Sequence, residues 1–298
     1  MVNKGKSTVT PRFDVEVFLH QLFLPSVVHL TELLASMPSD NAVEEIHQSR
    51  VLIRTLRAYL DVFSPLLRNS ATRAVLKDLK WLDALLAPLR NTDVSSALLT
   101  HNLKSETVMK DATDTFSLRL IHRLLEDRKV DIKSLCHQLE GRRADKLIAE
   151  LAELVSAAPI RKQFLSLCSS DQLSLLTQCL DASRLRMFKL TNQSLKNPSP
   201  SHLHKLRIQA KHVHYSYGAA HSQGLIADKE VVKLAEFLHR LLGKYQDLVT
   251  LEIWLDKQET IFINETSIRK QWLAQLKQDR RKLLHKYMQS TPPQLHGI

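Results

Sequence analysis

Glycine is scarce in this chain, with 6 residues in 298. Hairpins, sandwiches and phosphate-cradling loops all consume glycine, because their backbones need positive φ or close approach of a ligand. Neither GxGxxG nor GxxxxGK(S/T) occurs, which removes dinucleotide-binding and P-loop readings. Cysteine is equally sparse. Cys136, Cys168 and Cys179 are odd in number and form no CxxC pair, so neither a disulfide framework nor a zinc cluster is expected, and a reducing cytoplasm suits them. Aromatic residues make up 6% of the chain, too few for a base-stacking stripe of the kind single-strand binders use. No apolar run is expected to reach the roughly 20 residues that a bilayer span needs. The opening MVNKGKSTVTPRF carries basic residues without an apolar segment behind them, which argues against a secretory signal.

Leu, Ala, Glu, Lys, Arg and Gln dominate instead. These are the strong helix formers, so the expected class is all-α. Lys and Arg total 42 against 31 Asp and Glu, a net charge of +11. Such an excess favours an anionic partner: nucleic acid, a phosphate polymer, an anionic membrane or an acidic protein.

Hydrophobic spacing places the helices. Residues 1–12 read as a flexible basic lead-in. From Asp14 to about Ser36, the residues Val17, Phe18, Phe23, Val27, Leu30 and Leu34 form a helical stripe, with a kink expected at Pro25. The connector MPSDNA offers Asp40 or Asn41 as an N-cap, with Glu44 and Glu45 in the first turn. The next helix runs to about Ser64, with Ile46, Leu52, Ile53, Leu56, Leu60 and Phe63 facing the core. A third helix is expected over about 70–87 and a break at Pro88, with Thr92 or Asp93 capping a new start. Further helices are placed at about 111–127 and between Asp131 and Val155, with a turn at Gly141 and a boundary in SAAP at 156–159. In the second half, Ser199 as N-cap with Pro200 behind it marks a strong helix start. That helix is expected to end near Gly218, and VVKLAEFLHRLLGKYQDLVTLEIWL and IRKQWLAQLKQDRRKLLHKYM supply two more.

One charge pattern occurs twice. His47, Arg50, Arg54 and Arg57 stand at steps of 3, 4 and 3, and His204, Arg207, Lys211 and His214 repeat those steps. At roughly 100° per residue, four such positions fall within an arc of about 80° on a helix. Each segment therefore presents one cationic column, with no carboxylate of its own inside it. One such column is usually a solvated helix face; two with identical spacing point to a shared role. The halves also match farther on, where Leu89-Arg90-Asn91-Thr92-Asp93-Val94 resembles Gly243-Lys244-Tyr245-Gln246-Asp247-Leu248. A repeat of about 155 residues, roughly four helices each, suggests internal duplication into two bundles.

At these residues the chain resembles the CHAD family, the conserved histidine α-helical domain. IHQSRVLIRTLR fits the family's leading helix, Arg90-Asn91-Thr92-Asp93-Val94 fits its R-D-x-D-V turn, and Leu203 to Tyr215 fits its L-H-x-x-R-x-x-x-K-x-x-x-Y motif. The likeness covers about residues 14–285 and implies two pseudo-symmetric four-helix bundles facing a shared basic groove or pore. The domain would span 13–290, with halves at about 13–156 and 157–290 and a tail at 291–298. The resemblance further implies non-catalytic binding of inorganic polyphosphate, with no cofactor and no metal. Two departures stand out: Asn91 replaces the family's first Asp of the turn, and His214 stands where Arg is usual. The first is expected to loosen an internal salt bridge and the second to make part of the binding charge depend on pH.

Arginine suits a phosphate polymer because its planar fork donates two hydrogen bonds, while lysine supplies a compact charge. The expected ligand contacts are therefore the two columns. Lys77, Lys80, Arg90, Arg184, Lys189, Lys244, Lys270, Lys277 and Arg281 are secondary basic candidates, individually closer to ordinary surface charges. Lys270, Lys277 and Arg281 share one face of the last helix. Tyr215 reads as a core or groove-edge residue, and Asp93 and Asp247 as caps or as partners that orient arginine. The pairs His202/His204 and His212/His214 point about 160° apart on a helix, so neither is a ready metal site. The competing readings are a helical nucleic-acid binder, an enzyme on phosphate chains and a scaffold docking on storage granules. The ExExK motif of the family's frequent β-barrel companion, the CYTH triphosphate-tunnel domain, does not occur here. The expected location is the cytoplasm, at polyphosphate or other granules. Neither oligomeric state nor chain-length preference follows from the sequence.

Overall fold

The structure, a computed structural model, describes residues 13–37, 42–105, 110–157, 159–226, 228–258 and 266–290. Among the described residues there are ten α-helices: α1 Val15–Ser36, α2 Val43–Val62, α3 Asn69–Ser105, α4 Lys110–Leu139, α5 Arg142–Ser156, α6 Lys162–Leu165, α7 Ser169–Lys196, α8 Pro200–Ser222, α9 Lys229–Asp256 and α10 Thr266–Ser290. Among the described residues the only extended pairing is a single bridge between Leu67 and Ile160. The fold is all-α, as composition requires. The lead-in 1–12, the tail 291–298 and the cap candidates Asp40 and Asn41 lie outside the described residues; Ala42 stands at the cap position of α2.

The helix starts are set by local chemistry. Asp14 Oδ1 accepts from the backbone N–H of Glu16 at 2.8 Å and of Val17 at 3.3 Å, which opens α1. Ser199 Oγ accepts from His202 N at 3.3 Å, with Pro200 at the first position of α8. Gly141 occupies the cap position of α5, as its placement in the sequence predicts.

Proline misleads at Pro88. The expected break is absent, and α3 runs unbroken for 37 residues; Asp93 sits inside it rather than capping a new helix. Both Pro25 and Pro88 are solvent-exposed, and so are Gln21 and Ala84, whose carbonyls lose an N–H partner. Water replaces that partner at an exposed site, which keeps the interruption tolerable. Gly218 likewise does not end α8, which continues to Ser222; the turn comes at Gly224, with φ 71°.

The order of neighbours is the same in each half. α1 packs on α2, α2 on α3 and α3 on α4; then α7 packs on α8, α8 on α9 and α9 on α10. The halves meet through α2 on α8 and α3 on α9. The SAAP boundary is tied down too, since Arg68 N donates to Pro159 O at 2.7 Å and Arg161 N to Leu66 O at 3.0 Å. One apolar cluster runs through both halves, from Phe18, Leu30, Ile46 and Leu56 to Leu206, Val213, Leu238 and Tyr287. A second, smaller cluster joins Leu99, Leu120, Leu124, Leu251, Leu255, Trp272 and Leu276.

α1 corrects one expectation. It is 22 residues long and apolar enough to cross a membrane by length and composition. Its apolar residues Phe18, Leu19, Phe23 and Leu30 are instead buried against the rest of the chain. Val17, assigned to the same stripe, is exposed, and Leu52 of α2 is only partly buried.

Candidate functional site

α2 buries Ile46, Ile53, Leu56 and Leu60. The adjoining arc carries His47, Arg50, Arg54 and Arg57, all half-buried. α8 does the same, burying Leu203, Leu206, Ala210 and Val213 and holding Arg207, Lys211 and His214 half-buried. α2 packs on α8, and Arg50 and Arg54 of the first column act on Arg207 of the second.

α3 supplies the organising carboxylate. Arg50 Nη1 lies 2.9 Å from Asp83 Oδ1 and donates to the Asp83 carbonyl at 2.6 Å. Arg57 Nη1 donates to Asp83 Oδ2 at 3.0 Å. Among the described residues no carboxylate forms an ion pair with Arg54 or Arg207. The Nε atoms of Arg50, Arg54 and Arg207 are buried with no acceptor among the described residues, and so are Nδ1 of His47 and of His214.

The electrostatics of the cluster record the convergence. Burial first, then the positive charges of Arg54, Arg207 and Arg90, hold Arg50 down to about 10 against the help of Asp83. It remains charged at neutral pH. Arg207 is lowered by burial and by Arg54, with Asp247 and Asp83 opposing. Lys211 is pushed down to about 6 by burial and then by Arg207, Arg54 and Arg50. His47 is lowered by burial and by Arg90. Charges on α2, α3 and α8 thus act on one another.

α9 closes this cluster. The His239 ring lies 4.8 Å from that of His214, centroid to centroid. Burial, then His214, Lys211 and Arg207, lower His239 to about 3. Asp247 faces Arg207, and burial raises its carboxyl even so. Gly243, one turn away, lies beside Arg207, where a Cβ would meet Nε at an ordinary contact distance of 3.9 Å. His214 itself is lowered by burial, so the unliganded ring is held toward the neutral form.

Other sequence candidates fall elsewhere. His204 is exposed near the start of α8, outside these interactions. Arg90 joins the cluster through its action on His47, Arg50 and Asp247. Arg184 pairs with Asp181 at 3.2 Å and lies over Phe188. Lys80 is exposed near Asp61, which pairs with His212 at 3.1 Å. Lys77, Lys189, Lys244, Lys270, Lys277 and Arg281 are exposed. Asp93 orients an arginine, Arg128, by a bond of 2.8 Å to Nε, and Asn91 is exposed beside this intact pair. A cavity of about 610 Å³ lined by Asn91, Asp127 and Trp254 includes none of the column residues.

Sequence reading missed Asp83 and His239. A signal existed on α9, where His239, Gly243 and Asp247 recur at steps of four and so share a face.

The family model for the CHAD domain matches residues 27–256, a stretch that takes in both columns. This chain belongs to the CHAD domain family. Two solved structures share its fold. The crystal structure of the CHAD domain from the plant Ricinus communis superposes with a TM-score of 0.71 at 17% identity, covering 94% of this chain and 93% of that one. PptA from Streptomyces chartreusis gives 0.70 at 15% identity, covering 91% of this chain and 95% of that one. No curated protein matches the chain. In this CHAD domain, then, the helices that carry the two basic columns, α2 and α8, pack on each other where the halves meet.

Proposed function

We propose that this CHAD domain binds inorganic polyphosphate without catalysis, through the cations that α2, α3 and α8 bring together. Some members of the family bind polyphosphate. The observation that carries the reading here is the set of buried guanidinium nitrogens of Arg50, Arg54 and Arg207 that have no acceptor among the described residues. A phosphate chain supplies many acceptor oxygens in a row and relieves the mutual repulsion of the site. Asp83 is held by Arg50 and Arg57, while burial raises the carboxyl of Asp247 against the charge of Arg207. With Asp83 so held, the described residues of the cluster offer no pair of free carboxylates for general acid–base chemistry, which supports binding alone. The matching order of neighbours around α2 and α8 supports reading 13–156 and 157–290 as duplicated halves that grip one chain.

The test is a titration with long-chain polyphosphate, duplex DNA and inositol phosphates over a salt series. Polyphosphate should bind most tightly, with affinity falling steeply as salt rises, by counterion release of the kind described for DNA. Affinity that is flat between low and physiological salt, or a preference for DNA, would overturn the reading.

A further inference from the structure

We infer that the cavity between α3, α4 and α9 is a second binding site, opposite in sign to the first, which takes an aliphatic polyamine. The inference is independent of the polyphosphate reading.

The cavity has a volume of about 610 Å³, within the range of small-molecule sites. Each wall is one helical stripe. α3 contributes Thr92 and Ser95, α4 contributes Asp127 and Asp131, and α9 contributes Ile253 and Trp254. Thr92 is 7% exposed and Ser95 3%, and neither hydroxyl has a hydrogen-bond partner among the described residues. A serine or threonine in a helix often returns its hydroxyl to the carbonyl four residues back. Thr100 on the same helix does so, to Ser96 O at 2.8 Å, and Thr250 on the opposite wall does so, to Gln246 O at 3.0 Å. Thr92 and Ser95 do not, and both line the cavity. Buried polar groups are rarely left without a partner, so these two hydroxyls point to a polar ligand.

The carboxylates set the sign of that ligand. Asp127 is held by Arg123, one turn back on α4, at 3.2 Å. Asp131, one turn further on, is half-buried and forms no ion pair among the described residues. Burial, then the charge of Asp127, raise its carboxyl. A cation beside Asp131 offsets that repulsion. Lys257 also lines the cavity, but it is exposed at the C-cap of α9 and pairs with neither carboxylate.

A metal ion does not suit this set. One free carboxylate and two hydroxyls fall short of the roughly six to eight oxygens that calcium takes. No group of three His, Cys, Asp or Glu fit to hold a metal occurs among the described residues. An ammonium group needs fewer partners, and an aromatic surface such as that of Trp254 attracts it. Ile253 and Leu124 suit a methylene stem. A simple monoamine engages Asp131 and leaves the hydroxyls alone. Amines spaced along an aliphatic chain reach both, with one nitrogen at Asp131 and another donating to Thr92 and Ser95.

The experiment is calorimetric titration of the full chain with spermidine at neutral pH, without polyphosphate. Wild type is compared with Asp131→Asn, Thr92→Val and Trp254→Phe, each checked for folding by urea unfolding. Wild type should bind spermidine with a change in tryptophan fluorescence. Asp131→Asn should lose about ten-fold or more in affinity, and Thr92→Val about three-fold, as expected for one charge-assisted and one neutral hydrogen bond. Trp254→Phe should still bind but lose the fluorescence change. An uncharged aliphatic diol of similar length should not bind. Equal spermidine binding by wild type and Asp131→Asn, or none at millimolar concentration, overturns the inference. Tighter binding of a lysine-rich peptide than of spermidine also overturns it, because the site then docks a protein. If spermidine binds with these losses while polyphosphate does not bind wild type, the polyphosphate reading fails and this inference stands.

Discussion

Arg128 reaches from α4 to Asp93 in the middle of α3, its Nε 2.8 Å from Oδ1, with 9% and 7% of the two side chains exposed. A pair so deeply buried costs more to break than it contributes by forming, because truncation leaves a charge in low dielectric. Asp93→Ala should lose about 3–5 kcal/mol of stability, measured by urea unfolding. Polyphosphate affinity of the folded protein should be unchanged. A loss of binding without a loss of stability would place Asp93 in the site after all.

The second prediction concerns the grip of both halves. Each charge-assisted hydrogen bond contributes about 1.5–3 kcal/mol at most, and a flexible polymer can shift to neighbouring cations. Arg54→Ala and Arg207→Ala should each weaken polyphosphate binding modestly, and the double variant should weaken it far more than either alone. Stability should hold or rise in all three, since Arg54 and Arg207 repel. Unfolding of the double variant, with normal binding by its folded fraction, would make these arginines structural.

The third prediction follows from the Lys211 amine, held at about 6 against an ordinary 10.5. The folded value is the lower one, so between those limits the unfolded chain binds more protons and stability rises with pH. The cost to the fold is complete below about pH 6 and gone above 10.5. Lys211→Met should therefore stabilise the ligand-free protein most near pH 6 and progressively less toward pH 10. Chemical denaturation at several pH values reads this directly, and a constant difference would contradict it.

The fourth concerns Gly243 in mid-helix. An alanine Cβ would touch Arg207 Nε at an ordinary 3.9 Å, and replacing a helical glycine gains roughly 0.5–1 kcal/mol. Gly243→Ala should raise stability by about that amount and leave binding intact. Gly243→Leu should displace the guanidinium and weaken polyphosphate binding in a titration.

Much of this architecture is legible in the sequence because helices announce themselves by period. Ile46, Ile53, Leu56 and Leu60 mark the core face of α2, and all four are buried. The basic columns stood out because like charges at steps of 3 and 4 are costly to keep and easy to see. Asp83 did not stand out, since a single carboxylate on a long amphipathic helix looks like any solvated acid; only the packing of α3 on α2 gives it two arginines. His239 was hidden for the same reason, its neighbour His214 being on another helix. Pro88 misled because local propensity weighs a proline without knowing whether its orphaned carbonyl faces water.

α3 and α9 each thread both apolar clusters, the large one through Leu82 and Leu238 and the small one through Leu99 and Leu251. At about 1.5 Å per residue, the 37 residues of α3 extend roughly 55 Å. The two clusters differ greatly in apolar content, so they need not open together. The end held by Leu99, Leu124, Leu255 and Trp272 is expected to open as a separate foldon, its amides exchanging faster than those around Leu56 and Leu206. The cationic cluster lies on helices buried in the large cluster, so breathing at the far end should leave its arginines in register.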